Sequence, residues 1–124
     1  MGAKILVMDD DECMRELLRL HLANAGYDVV LAEDAIEAGK LILKWQPDLL
    51  LADVEMPYMN GLEFVQAVKS DPMTSSLPVI FLTCKTDAEQ RARELGAAAF
   101  LMKPLRADQL LATVAQQVNG PNPI

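Results

Sequence analysis

Short apolar runs recur along the chain, separated by stretches in which apolar residues have helical spacing. Four of these runs contain no polar residue and cover residues 5–8, 49–52, 79–82 and 99–102. A weaker run, residues 29–31, lies between the first two. Continuous apolar runs of this length are typical of strands covered on both faces, as in a parallel sheet. The pattern therefore predicts five strands.

The stretches between the runs place apolar residues three and four positions apart, as on one face of an amphipathic helix. The predicted helices cover residues 12–25, 36–45, 62–68, 88–95 and 105–118. In the first of them the predicted inward stripe consists of Met14, Leu17, Leu18, His21, Leu22 and Ala25. Gly26 follows as a C-terminal stop signal.

Strand and helix alternate five times, which predicts a doubly wound α/β fold. Each right-handed crossover returns the chain parallel to the preceding strand. A length of 124 residues suits one domain. We expect this domain to occupy residues 1–118. Residues 119–124 contain one glycine and two prolines, which predicts the start of a linker or a disordered tail.

Composition narrows the classes of function. Eighteen acidic residues against eleven Lys and Arg give a net charge of -7, which disfavours direct binding to nucleic acid and to anionic lipid. The apolar runs are far shorter than the roughly 20 residues of a membrane span, and no signal peptide is recognisable. Cys13 and Cys84 form neither a disulfide framework nor a CxxC motif. We therefore expect a cytoplasmic protein with no membrane partner.

Polar residues follow four of the five predicted strands. They are Asp9, Asp10 and Asp11 after the first, Asp53 after the third, Thr83 after the fourth and Lys103 after the fifth. Ligands of doubly wound folds bind outside the carboxyl ends of the strands, so these side chains are expected to meet at one edge of the sheet. Asp11 and Glu12 open the first helix, and we interpret them as capping residues.

The residue types at this edge suit phosphoryl transfer to a carboxylate. Clustered carboxylates without His or Cys are ligands that Mg²⁺ prefers. The metal charge offsets repulsion between the Asp53 carboxylate and an anionic phosphoryl donor. Lys103 adds a positive charge for the oxygens of the transferred group, and Thr83 adds a neutral hydrogen bond.

Four segments closely resemble the receiver domains of two-component response regulators. They read ILVMDDD (residues 5–11), PDLLLADVEMP (47–57) followed by Asn60-Gly61, PVIFLT (78–83) and FLMKP (100–104). Each motif alone is weakly specific. Together they occur in the family's order at the ends of the appropriate strands, which makes chance agreement improbable.

The resemblance implies a flavodoxin-like sheet of five parallel strands, in the order 2-1-3-4-5, with five helices. It implies that Asp53 accepts a phosphoryl group from a histidine kinase or a phosphotransfer protein. Such a protein is a signalling domain and not a conventional enzyme. The implied magnesium ligands are Asp9, Asp10, Asp53 and the main-chain carbonyl of Glu55, and Lys103 would contact the phosphoryl group.

The resemblance also implies a switch. Thr83 would move toward the phosphoryl oxygens and Phe100 would turn inward with it, which biases an equilibrium between two packings. The fourth helix, fifth strand and fifth helix would then present a changed surface to a downstream protein or a fused output domain. A cis Lys103-Pro104 bond is expected by the same resemblance. The kinase, the output and dimerisation on phosphorylation stay open.

Other interpretations compete with this one. An aspartate-nucleophile phosphatase of the haloacid-dehalogenase type needs Asp-x-Asp, which residues 53–55 do not provide. A phosphorylation-independent interaction module needs none of the acidic cluster. Thr83 as a strand-end residue, Lys103 as a surface lysine and Phe100 as plain core are the structural alternatives.

Two residues near the acceptor carry opposite charges, Glu55 two positions after Asp53 and Lys85 two positions after Thr83. We hypothesise that their side chains pair across the mouth of the site. Such a pair would hinder the water that hydrolyses the acyl phosphate.

Overall fold

In the computed structural model of the chain, the described residues are 2–56, 60–84 and 88–118. The strands are β1 (Lys4–Met8), β2 (Asp28–Ala32), β3 (Leu49–Asp53), β4 (Val79–Thr83) and β5 (Ala99–Met102). The helices are α1 (Glu12–Asn24), α2 (Ala35–Trp45), α3 (Gly61–Ser70), α4 (Glu89–Glu94) and α5 (Ala107–Val118). The ten predicted elements are confirmed in their order. The predicted tail, residues 119–124, lies outside the described residues.

The strands form one parallel sheet in the order β2-β1-β3-β4-β5. This confirms the flavodoxin-like, doubly wound topology. The strand order reverses between β1 and β3, and there Met8 pairs with Ala52. The next residues, Asp9 and Asp53, are therefore neighbours at the carboxyl edge of the sheet, where such folds bind their ligands.

Alternate residues of each strand point to opposite faces, so the sheet divides the core in two. One face packs against α2, α3 and α4 through Leu6, Leu50 and Phe81, and the other packs against α1 and α5 through Val7 and Leu51. In the central strands the apolar side chains are completely buried. This explains why their sequences lack polar alternation.

Polar side chains cap three helices. Asp11 accepts hydrogen bonds from the backbone N–H groups of Cys13 and Met14 and begins α1, as predicted. Asp34 and Asn60 accept equivalent bonds at the starts of α2 and α3. These caps satisfy donors that have no partner inside the helix, and they fix where each helix leaves the sheet edge.

Several details differ from the sequence predictions. Most helices begin or end one or two residues from their predicted bounds, and Ala25, which was assigned to the inward stripe of α1, is exposed and follows the helix. Leu17 is 45% exposed, because the buried residues of α1, Leu18 and Leu22, lie about 100° and about 140° away from it around the helix. Helix α5 begins at Ala107 and not at residue 105. The backbone N–H of Lys103 still donates to the carbonyl of Thr83 (2.7 Å), so residues 104–106 are needed to leave the sheet.

The Lys103-Pro104 peptide bond is cis, as the resemblance implied. Within the described part of the chain, no helix has the length and apolar character to cross a bilayer.

Candidate functional site

Four polar side chains predicted from separate segments meet at the carboxyl edge of the sheet. Asp9 follows β1, Asp53 ends β3, Thr83 ends β4 and Lys103 follows β5. Asp9, Asp53 and Thr83 are the buried polar residues among those described, and each exposes 2% or less of its surface. Burial of charge is costly unless the groups are paired or bind an ion, so this cluster is the candidate functional site.

Lys103 bridges the two buried carboxylates. Its Nζ lies 3.2 Å from Asp9 Oδ2 and 3.2 Å from Asp53 Oδ1. The lysine side chain is only 18% exposed, so little solvent screens these contacts. Lys103 thus serves the buried site and is not an ordinary surface lysine.

Asp10 adds a third carboxylate at the solvent side. Single oxygens of Asp9, Asp10 and Asp53 all lie within 4.8 Å of one another. Three carboxylates face one ammonium group, which leaves negative charge in excess. A set made only of oxygen donors, two buried and one exposed, fits a hard divalent cation such as Mg²⁺ that keeps some of its water.

Backbone donors orient the two buried carboxylates. The N–H of Asp11 donates to Asp9 Oδ1 (2.9 Å), and the N–H of Glu55 donates to Asp53 Oδ1 (3.3 Å). Arg15 reaches back from α1 and donates to the carbonyl of Asp9 (2.7 Å). On Asp53 the amide and Lys103 converge on one oxygen, which fixes the plane of the carboxylate.

Burial, and after it the negative charge of Asp9, raise the pKa of Asp53 to about 7 against the opposing effect of Lys103. For Lys103, burial favours the neutral amine, but Asp53 and Asp9 outweigh burial and raise the pKa of the ammonium. Lys103 therefore stays charged at neutral pH. Asp53 without a bound cation is only partly ionised there, and a cation beside it would favour the carboxylate form.

Glu55 has a role that the sequence analysis did not foresee. Its side chain accepts hydrogen bonds from the Thr83 hydroxyl and, on its other oxygen, from Cys84 N (3.1 Å) and Cys84 Sγ (3.4 Å). Burial works to raise the pKa of Glu55, but these hydrogen bonds outweigh burial and lower it. Glu55 is thus an anion fixed against the end of β4. Lys85, its hypothesised partner, lies outside the described residues.

Gly61 is also required by the site. A Cβ at this position would lie 2.1 Å from the carbonyl oxygen of Asp53 and 3.1 Å from the Cα of Val54. The Gly61 N–H donates to the carbonyl of Val54 (2.9 Å), which holds α3 against the segment after Asp53. In the sequence the Asn60-Gly61 pair was part of the resemblance to receiver domains, whereas its contact with Asp53 is visible only in the fold.

Phe100 is partly buried and packs against the core on the α4 side of the sheet. It pairs with Phe81 of β4 in the strand register. It also lines a cleft of about 260 Å³ between α4 and β5, together with Ala92 and Arg93. A packing role for Phe100 is therefore visible, and its role as a switch residue stays a prediction.

Comparisons with known proteins agree with this geometry. The model of the response regulator receiver domain family matches residues 5–115. The response regulator MprA of Mycobacterium ulcerans (strain Agy99) is 40% identical over 114 residues, which are 90% of this chain and 48% of that protein. The chain therefore spans about half the length of the curated relatives it matches.

Solved structures with the same fold include the chemotaxis protein CheY4 of Vibrio cholerae. Its TM-score is 0.88 at 34% identity, and the match covers 94% of this chain and 99% of that one. A putative response regulator from Chloroflexus aurantiacus J-10-fl has a TM-score of 0.90 at 33% identity, with coverage of 95% and 98%.

Proposed function

This chain belongs to the family of response regulator receiver domains, and on that premise we propose that Asp53 is its phosphoryl acceptor in two-component signalling. The observation that carries the proposal is the bridge from Lys103 to Asp9 and Asp53. Asp53 ends β3, which lies in the sheet between β1, followed by Asp9, and β5, followed by Lys103. A phosphoryl group on Asp53 would lie within reach of Lys103.

The proposed step is one displacement. An oxygen of the ionised Asp53 carboxylate bonds to the phosphorus of a phosphohistidine on the partner, and the P–N bond breaks. The displaced imidazole nitrogen takes a proton and leaves with the partner. Lys103 would then shift its contact from the carboxylate to the phosphoryl oxygens. Because burial keeps Asp53 partly protonated, positive charge at the site supports the reaction by favouring the carboxylate.

We propose that Asp9, Asp10, Asp53 and the main-chain carbonyl of Glu55 hold Mg²⁺. The common distance limit of 4.8 Å among the three carboxylate oxygens supports this assignment. When bound, the metal supplies positive charge that offsets the repulsion between the acceptor and the incoming phosphoryl group. The excess of carboxylates over ammonium groups is then balanced.

The proposed output is a population shift. Thr83, at the end of β4, and Phe100, on β5, would move together once the phosphoryl group draws in the Thr83 hydroxyl. A swing from 1:99 to 99:1 requires that phosphorylation favour the active packing by about 5.5 kcal/mol. Charge-assisted hydrogen bonds to Lys103 and Thr83 would contribute to this difference.

The family implies a histidine kinase partner, and we propose that a kinase or phosphotransfer protein supplies the phosphoryl group. The surface of α4, β5 and α5 would then control a downstream protein or a fused output domain. We propose that residues 1–118 form the receiver and that a linker starts at residue 119, because the family match ends at residue 115. The curated relatives are about twice as long as the match.

Intact-mass spectrometry tests the acceptor. With acetyl phosphate and Mg²⁺, the wild-type chain should gain the mass of one phosphoryl group. Asp53→Asn should gain none, and removal of divalent cations with EDTA should abolish the gain. Asp48→Asn is the matched control, because Asp48 is an exposed aspartate at the opposite edge of the sheet.

Phosphorylation that persists in Asp53→Asn would contradict the proposal. Repeated turnover of a small phosphate ester, in place of one phosphoryl group retained per chain, would favour the phosphatase alternative.

A further inference from the structure

We infer that the side chain of Glu55 is an internal competitor of the phosphoryl group: in the resting protein it binds the Thr83 hydroxyl and the Cys84 N–H, and phosphorylation has to displace it. The inference rests on the proposed function of Asp53. The observation behind it is that both oxygens of the Glu55 carboxylate accept hydrogen bonds from the end of β4 and the residue after it. One oxygen accepts from Thr83, and the other accepts from Cys84 N and Cys84 Sγ.

The backbone places Glu55 where it can compete. The Glu55 N–H donates to Asp53 Oδ1 (3.3 Å), so the backbone of Glu55 is in direct contact with the acceptor carboxylate. The N–H of Val54 donates to the carbonyl of Leu82 (2.9 Å), which ties this segment to the residue before Thr83. The side chain then closes the gap between the end of β3 and the end of β4. A phosphoryl group on Asp53 would enter this same gap.

The chemistry of the two groups is alike. A carboxylate and a phosphoryl group both present anionic oxygens that accept charge-assisted hydrogen bonds from hydroxyl and amide donors. The Thr83 hydroxyl has a single proton to donate. It cannot donate this proton to Glu55 and to a phosphoryl oxygen at once, and two anions in one gap repel each other. Binding of either group therefore excludes the other.

Glu55 can leave without disturbing the fold. Thr83 is completely buried, but Glu55 is only partly buried and Cys84 is exposed. Rotation of the Glu55 side chain into solvent breaks its three contacts and moves no strand. In the resting state the Thr83 hydroxyl is therefore held toward Glu55. On phosphorylation, the phosphoryl group on Asp53 has to replace the Glu55 carboxylate as the acceptor of that hydroxyl.

The test uses beryllofluoride with Mg²⁺, a phosphoryl analogue that binds an acceptor carboxylate without a chemical step. Wild type, Glu55→Ala and Glu63→Ala are compared, because Glu63 is an exposed glutamate in the first turn of α3. We expect Glu55→Ala to bind beryllofluoride about 5- to 10-fold more tightly, from the loss of competing hydrogen bonds of ordinary strength. Glu63→Ala should bind as wild type does.

A second readout reports the contact itself. In the analogue-free protein, Glu55→Ala should move the Cys84 amide proton resonance upfield and speed its exchange with solvent, because the carboxylate acceptor is gone. Glu63→Ala should leave this resonance unchanged.

Two comparisons separate displacement from simple charge repulsion. In 1 M salt, where the Debye length is about 3 Å, the tighter binding of Glu55→Ala should persist; loss of the gain would mean repulsion alone and would overturn the inference. In a Thr83→Val background the gain from Glu55→Ala should shrink to about twofold or less, because the shared donor is absent. An undiminished gain there would also overturn it.

Failure of the inference and failure of the proposed function give different results. If wild type binds beryllofluoride and Glu55→Ala binds it equally with an unchanged Cys84 resonance, the competitor role is wrong while Asp53 stands as the acceptor. If wild type does not bind beryllofluoride and acetyl phosphate leaves Asp53 unmodified, the proposed function is wrong and the inference falls with it.

Discussion

The two ends of the same parallel sheet use polar residues in opposite ways. At the amino edge, Lys4 and Asp48 exchange hydrogen bonds through their backbones and the Asp48 side chain, at 2.7 and 2.8 Å. The Lys4 ammonium donates to the carbonyl of Trp45 and lies 5.7 Å from the centre of its ring. At the carboxyl edge, carboxylates gather around one lysine, and the two that contact it are buried.

Lys69 is a further charged residue whose contacts lie at the amino edge of the sheet. Its Nζ donates to the carbonyls of Leu77 (2.7 Å) and Ser75 (3.3 Å) in the connection that leads into β4. Each charge described at this edge meets a backbone partner or solvent. At the carboxyl edge the like charges of Asp9 and Asp53 face each other. The like charges at the carboxyl edge cost stability, and under the proposed function they are kept for phosphoryl transfer, whereas the charges at the amino edge are satisfied by partners that stabilise the fold.

The largest effect is expected where the backbone is packed around the acceptor. Gly61→Ala should lower the free energy of unfolding by about 3 kcal/mol or more, because its Cβ would meet the backbone of Asp53 and no rotamer change can relieve the clash. Urea denaturation followed by circular dichroism measures the loss. Gly39→Ala is the control, since its Cβ would meet only Phe64 Cε1 at 3.9 Å, and there we expect a gain of about 0.5–1 kcal/mol. Equal losses in both variants would remove the claim of tight packing at the carboxyl edge.

A slightly smaller effect should follow from the charge of Asp53. Its pKa is raised from 3.8 to about 7 in the folded protein, so the folded state holds its proton over a range in which the unfolded chain has lost it. Stability contributed by the protonated group is complete below pH 4 and is lost as pH rises through 7. In metal-free buffer, Asp53→Asn should therefore match wild type near pH 4 and exceed its stability by about 2–4 kcal/mol at pH 8.

Thermal denaturation at several pH values, with EDTA present, measures this difference. Added Mg²⁺ should stabilise wild type and reduce the advantage of Asp53→Asn. A difference that stays constant from pH 4 to pH 8 would show that the charge of Asp53 is not the cause.

The smallest effects belong to the amino edge. Lys69→Met keeps the apolar stem but removes the donor to two carbonyls, so we expect a loss of about 1 kcal/mol. Lys4→Met, at an exposed position, should cost less than about 0.5 kcal/mol. Phosphorylation by acetyl phosphate should proceed in both variants at the wild-type rate. A tenfold slower reaction in either variant would contradict the conclusion that the amino edge takes no part in phosphorylation.

The central strands β1, β3 and β4 could be predicted because they are buried on both faces and their apolar runs are continuous. The edge strand β2 is only partly buried, which explains its weaker run. The convergence of Asp9, Asp53, Thr83 and Lys103 could be predicted for a related reason, since each follows a strand directly. The alternatives for Lys103 as a surface residue are excluded by its bridge to the two carboxylates. Family membership, the strand order and the cis bond are likewise confirmed.

What could not be predicted depends on the relative placement of loops. The carboxylate of Glu55 reaches Thr83 across two connections, and no spacing in the sequence specifies that approach. The contact of Gly61 with Asp53 likewise needs the angle at which α3 leaves the sheet. Leu17 was assigned to the wrong face because helical spacing defines a stripe only to within about one residue, and packing against the sheet decides the rest.

The bridge between Lys103 and Asp9 joins residues 94 positions apart in the chain. Lys103 follows β5, the last strand in the chain, and Asp9 follows β1, the first strand in the chain. Under the proposed function, a ribosome must therefore finish nearly the whole domain before the chain can receive a signal. In a truncated or misfolded copy Lys103 does not face the aspartates, so under the proposed function that copy is not phosphorylated. Only the complete, folded domain takes part in signalling.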